Sequence, residues 1–131
     1  MIEPRSERQR SIHHYVTEYG AGNYESAVSI FTDDVRWIVV GAFESNGRDQ
    51  YVANMTNDQV EGHPTIDVIA YIEGDDEVVV EGTATQALAG GPSITVPFLD
   101  VFAFRGDKVY EKRSYCVPPQ TLKIKAAPVP E

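Results

Sequence analysis

The run VPFLDVFAF at residues 96–104 places a carboxylic acid inside the most apolar stretch of the chain. Side chains alternate along an extended strand, so Val96, Phe98, Asp100, Phe102 and Phe104 share one face, and Thr95, Pro97, Leu99, Val101 and Ala103 share the other. If the phenylalanine face points inward, Asp100 is buried among aromatic rings. An ionised carboxylate there is costly unless donors or a cation meet it, and desolvation favours the protonated form. A carboxyl kept protonated near neutral pH can donate a hydrogen bond to a ligand oxygen. The same pattern also accommodates an Asp100 that faces solvent or is tied to neighbouring backbone or an arginine.

Other residues could carry chemistry. His63, just before Pro64, is either a general base at a pocket rim or an ordinary loop histidine. Trp37 and Val39 alternate in one strand and share a face, as lining of a pocket or as plain core. In the last strand Arg113 and Tyr115 share one face, and Ser114 and Cys116 the other. Cys116 is the single cysteine, so an internal disulfide is excluded. His13 and His14 are adjacent on a helix and point about 100° apart, which does not suit one shared metal ion. No phosphate-binding glycine loop, metal triad or nucleophile elbow is present, so neither cofactor nor metal is expected.

The elements that must position these groups can be read from periodicity. Ile12, Tyr15, Val16 and Tyr19 predict a helix over residues 5–19, ended by Gly20 and Gly22. Tyr24, Ala27, Val28 and Phe31 predict a second helix, with Asn23 as its cap. VRWIVVG reads as a strand, FESNG as a loop, and RDQYVANM as a short third helix. The rest reads as a meander of four strands: TIDVIAYIE, EVVVEGTATQALA, SITVPFLDVFAFR and VYEKRSYCV, joined by glycine-rich turns. Helices followed by strands indicate an α+β fold with helices packed on one face of a curved sheet. The expected organisation is one domain over residues 1–116 and an extended, proline-rich tail over 117–131.

The net charge of −9 opposes binding to nucleic acid or an anionic membrane, both of which need a positive surface. No apolar run is long enough to span a bilayer, and the charged first ten residues do not read as a signal peptide, so a cytoplasmic location is expected.

The layout resembles the nuclear transport factor 2-like superfamily, in its ketosteroid isomerase and SnoaL-like polyketide cyclase branch. The resemblance covers residues 8–116 and rests on Tyr15 with AGNYESAVSIFTDDVRW, on Gly47-Arg48 opening the third helix, and on FLDVFAFRGDKV. It implies a cone-shaped, cystatin-like barrel in which a strongly curved mixed or antiparallel sheet wraps three N-terminal helices and encloses one deep apolar pocket. It also implies homodimers through the outer sheet face. Ketosteroid isomerases place a tyrosine and a protonated aspartic acid in that pocket as hydrogen-bond donors; the raised pKa of that acid is a well-known worked case. Tyr15 and Asp100 match these two groups. The isomerase base position falls on Val39, which cannot accept a proton, and a supporting second tyrosine aligns with Met55. The resemblance makes Asp67 a candidate relocated base beside His63. It implies a pocket lined by Phe31, Trp37, Val39, Met55, Phe98, Phe102, Ser114 and Cys116.

The resulting expectation is a cofactor-free acid–base enzyme, an isomerase, cyclase or epoxide-opening hydrolase, acting on a hydrophobic oxygen-bearing small molecule such as a polyketide or terpenoid. The alternative is a non-catalytic ligand-binding or dimerisation module of the same fold.

Overall fold

The computed structural model describes residues 1–56 and 60–117. Of the tail expected over 117–131, all but Val117 lies outside the described residues.

The first helix, α1 (Glu7–Gly20), starts where Ser6 accepts a hydrogen bond from the Gln9 amide, satisfying one free N–H of the first turn. Its apolar stripe buries Ile12, Tyr15 and Val16. It ends at Gly20, and two residues on Gly22 turns the chain with a φ of 81°, open to glycine and strained for other residues. The second helix is shorter than its periodicity predicts. α2 covers Tyr24–Ala27, and a 3₁₀ turn covers Val28–Ile30. Phe31 then opens the strand β1 (Phe31–Val39) and pairs with Val109. The spacing at 24, 27, 28 and 31 mimics a helix because Ala27, Val28 and Phe31 all enter the same core from successive short elements.

The stretch read as a loop, FESNG, mostly forms a short edge strand, β2 (Phe43–Asn46), paired antiparallel with β1. The third helix, α3 (Arg48–Asn54), follows as expected. The meander comprises β3 (Val60–Glu73), β4 (Glu77–Leu88), β5 (Ser93–Arg105) and β6 (Lys108–Cys116). The six strands form one sheet in the order β2-β1-β6-β5-β4-β3. Only the β1–β6 pair is parallel, so the sheet is mixed. The helices cover one face, and a core of Ile12, Tyr15, Phe31, Tyr51, Val68 and Phe102 lies between the layers. This is the expected α+β cone, with the sheet left open rather than closed.

Candidate functional site

The inner face of the sheet and α1 enclose a cavity of about 300 Å³. Strand alternation decides what lines it. From β5 come Val96, Phe98, Asp100 and Phe102, the face read from the sequence. From β1 come Trp37 and Val39, and from β6 Lys112, Ser114 and Cys116. α1 contributes Tyr15, Val16 and Tyr19, while β3 and β4 add apolar wall and Gln86.

The polar groups converge at one place. Asp100 on β5 sits opposite Ser114 on β6, two residues from Lys112. Lys112 is almost fully buried, and its Nζ lies 3.6 Å from Asp100 Oδ2. Nζ also donates to the Tyr15 hydroxyl at 3.0 Å and to the Tyr51 hydroxyl at 2.8 Å. Four rings surround the ammonium: Tyr15, Trp37, Tyr51 and Phe102, with centroids 4.8–5.5 Å away. Their negative π faces supplement the carboxylate in holding a charge that water cannot reach. On the other side of the carboxylate, Trp37 Nε1 donates to Ser114 Oγ at 3.0 Å.

Proton accounting gives the cluster a direction. The Tyr15 and Tyr51 oxygens are 2.5 Å apart, and one must donate to the other. Both oxygens already accept from Lys112. Tyr51 is fully buried and does not line the cavity, so a proton it kept for itself would have no acceptor. An unmet buried donor costs about 1–3 kcal/mol. The favourable assignment has Tyr51 donating to Tyr15, which leaves the Tyr15 proton free for the cavity.

Burial pushes the Asp100 carboxyl above its ordinary value, while Lys112 and the Ser114 hydroxyl pull it back down. Burial alone would lower Lys112, but Asp100 and Tyr15 outweigh it and raise the ammonium above the usual lysine range. Burial, with Tyr15 next, also raises Tyr51, and burial likewise raises Tyr19. Lys112 offers the Asp100 carboxylate a counter-ion, which opposes the desolvation that favours the protonated form expected from the sequence.

Several sequence candidates lie elsewhere. Asp67 is on the outer face of β3, because its neighbours Ile66 and Val68 face in, and it pairs with the α-amino group of Met1 at 3.2 Å. His63 stands outside the cavity lining and its Nδ1 is 3.1 Å from the Tyr24 hydroxyl. Its ring fills the space where a side chain at Gly22 would have to go, which ties the end of α1 to β3. Phe31 and Met55 are core residues behind the cavity rather than in it. Phe31 packs edge-on to Tyr15, and the Met55 carbonyl accepts from the Tyr19 hydroxyl. The tyrosine that meets Tyr15 from the third helix is Tyr51, one helical turn before Met55.

Lys112 and Tyr51 are the residues that sequence reasoning missed. Lys112 was legible from alternation, since it stands two residues before Ser114. The charged string EKR hid it, because such strings usually face solvent. Among the described residues, no group of three or more His, Cys, Asp or Glu side chains is placed to hold a metal ion. No helix among them is long and apolar enough to cross a membrane.

The family model of the SnoaL-like domain matches residues 12–112. No curated protein matches the chain. Among solved structures, an NTF2-like protein of unknown function from Burkholderia pseudomallei superimposes with a TM-score of 0.77 at 17% identity, over 84% of this chain and 90% of that one. An LEH-like epoxide hydrolase from M. tuberculosis gives 0.73 at 15% identity, over 85% and 83%. A protein from Catenulispora acidiphila with a ketosteroid isomerase-like fold, in complex with trimethylamine, gives 0.70 at 16% identity, over 80% and 83%. At these identities the structural likenesses establish the fold.

Proposed function

The chain belongs to the SnoaL-like domain family, and from that premise we propose that it is a cofactor-free acid–base enzyme acting on a hydrophobic, oxygen-bearing small molecule. The observation that carries this reading is the Tyr15–Lys112–Asp100 cluster at the floor of a largely apolar cavity. Tyr15 gives its free proton in a hydrogen bond to a ligand carbonyl or epoxide oxygen. Asp100, as the carboxylate, takes a proton from an adjacent carbon or from a water. The Lys112 ammonium sits between the oxygen that gains charge and the carboxylate that loses it. In the apolar setting these interactions are stronger than in water and need no reorganisation. Asp100 thus fills the role left open at Val39, which lines the cavity as plain wall.

For a ketone, the proton leaves the α-carbon for Asp100 and returns at the same or a conjugated carbon, giving exchange or isomerisation. For an epoxide, Asp100 takes a proton from the attacking water as its oxygen bonds to a ring carbon, the ring C–O bond breaks, and the alkoxide held by Tyr15 takes the Tyr15 proton, which the one gained by Asp100 then replaces. The fold likeness to the M. tuberculosis epoxide hydrolase is compatible with the second course. Pairing of two copies through the outer sheet face, which exposes Ile69, Leu99 and Tyr115, belongs to the same reading. Sedimentation of Leu99→Lys beside the wild type tests it: a wild-type dimer and a monomeric variant are expected, and a wild-type monomer contradicts it.

The second reading is a non-catalytic binding module. It draws on the same cluster, because Lys112 donates to both tyrosine hydroxyls and pairs with Asp100 inside it, as a purely structural ion pair would. Deuterium exchange into 2-tetralone and hydrolysis of styrene oxide separate the two readings. The enzyme reading expects one of these reactions to be accelerated by the wild type and lost in Asp100→Asn and Tyr15→Phe. Binding of both compounds with no acceleration supports the module instead.

A further inference from the structure

Gln86 stands at the other end of the cavity from the charged cluster. On the inner face of β4, Val80 pairs with Asp100, and Gln86 lies six residues further along, opposite Ile94. At about 3.3 Å per residue that is roughly 20 Å of strand. The walls between are apolar, formed by Ala84, Val96, Ile66 and Phe98. Tyr19, the other polar side chain along the way from α1, has its hydroxyl proton engaged by the Met55 carbonyl.

The Gln86 amide is fixed by its own bonds. Nε2 donates to the Glu61 carbonyl at 2.8 Å and to the Ala87 carbonyl at 3.3 Å. Both amide protons are therefore committed to backbone oxygens, and the flipped amide would bring oxygen against oxygen. What Gln86 retains for a ligand is Oε1, an acceptor.

We infer that Gln86 selects ligands bearing a hydrogen-bond donor, a hydroxyl or N–H, at the end remote from the oxygen held by Tyr15. This rests on the floor reading proposed above and adds the far end of the substrate to it. The substrate class is an elongated, mostly apolar ketone or epoxide with a distal hydroxyl or amine. The two ends of the cavity then read opposite chemistry: the floor offers a donor to an oxygen, and the mouth offers an acceptor to a donor. Such a ligand is held better in one direction, because reversal would leave Oε1 facing the carbonyl or epoxide oxygen, acceptor against acceptor.

Three probes of one length test this: 4-acetyl-4′-hydroxybiphenyl, its 4′-methoxy analogue and 4-acetylbiphenyl. Affinities are measured by calorimetry on the wild type, Gln86→Leu and Gln86→Met, with circular dichroism confirming the fold of each. The hydroxy probe should bind the wild type about fivefold to tenfold more tightly than either companion, the range of one net hydrogen bond. Both substitutions should erase that preference, with the three probes then binding alike. Equal binding of the three probes to the wild type overturns the inference while leaving the floor reading in place. A preference that survives both substitutions also overturns it. Tyr15→Phe should weaken all three probes together; if none of the three binds the wild type, the floor reading falls and the Gln86 inference with it.

Discussion

Lys112 and Arg113 are neighbours on β6, and both are cations paired with carboxylates. Alternation sends them to opposite sides of the sheet. Lys112 faces in, where its side chain is 5% exposed and its partner Asp100 11%. Arg113 faces out, held by Glu77 at 2.8 Å and Glu111 at 2.6 Å, with side-chain exposures of 29%, 48% and 19%. The outer pairs have the shorter distances, yet the inner pair matters more. Water and salt screen the outer charges and already solvate either partner alone. Inside, each charge has lost its water, so each depends on the other and on the surrounding rings and hydroxyls. A buried pair of this kind need not stabilise the fold compared with an apolar core of the same shape. The proposed function gives the pair a second role, in holding a ligand at the cavity floor.

Breaking the inner pair on one side should have the largest effect on stability. Lys112→Met strands the Asp100 carboxylate among rings, and a loss of about 3–5 kcal/mol is expected in urea unfolding. The double variant Lys112→Met/Asp100→Leu should recover most of it, because apolar replacement of a whole buried pair is often neutral or better. It should recover no ligand chemistry. A double variant that still turns over substrate would separate the cluster from function.

Tyr15→Phe sharpens the contrast from the functional side. Turnover should fall about a hundredfold to a thousandfold, as when one donor to a developing oxyanion is removed. Stability should fall by about 1–3 kcal/mol, because the Tyr51 hydroxyl and one Lys112 proton lose their acceptor.

The two cations also differ in their response to pH. The folded Lys112 ammonium is held above its ordinary 10.5. Its stabilising contribution is complete below that value and is lost as pH rises through the folded one. Unfolding measured from pH 8 to 12 should show a decline beyond about 10.5 that Lys112→Met lacks, whereas Arg113, raised further by Glu77, stays charged throughout. Asp100, also raised, favours the fold most below 3.8, and that contribution fades as pH climbs through its folded value.

The smallest effect is expected outside. Arg113→Ala should cost about 0.2–1 kcal/mol, less at high salt.

Period and turn chemistry made β5 legible to the residue and grouped the side chains of β1 and β5 by face, while leaving open which face is inward. They failed at Phe31, where three short elements in one core imitate a single helix, and at β2, where four residues at an edge are too short to show alternation. In the site, Asp100 was conspicuous because its strand is otherwise apolar. Lys112 was not, since a lysine between a glutamate and an arginine looks like surface until the inward face is known. Tyr51 escaped because the third helix was aligned one turn out of step, on Met55. Asp67 shows the converse, a carboxylate on a strand that alternation turns outward to solvent.

The central claim is that the Tyr15 proton, freed by donation from Tyr51, faces a ligand oxygen beside an ionised Asp100. Binding of 2-naphthol, whose hydroxyl can accept from Tyr15 and donate to Asp100, tests it most directly by calorimetry at neutral pH. The expected result is an affinity for the wild type at least tenfold above that of both Tyr15→Phe and Asp100→Asn, with all three proteins folded. Equal affinity across the three would contradict the claim.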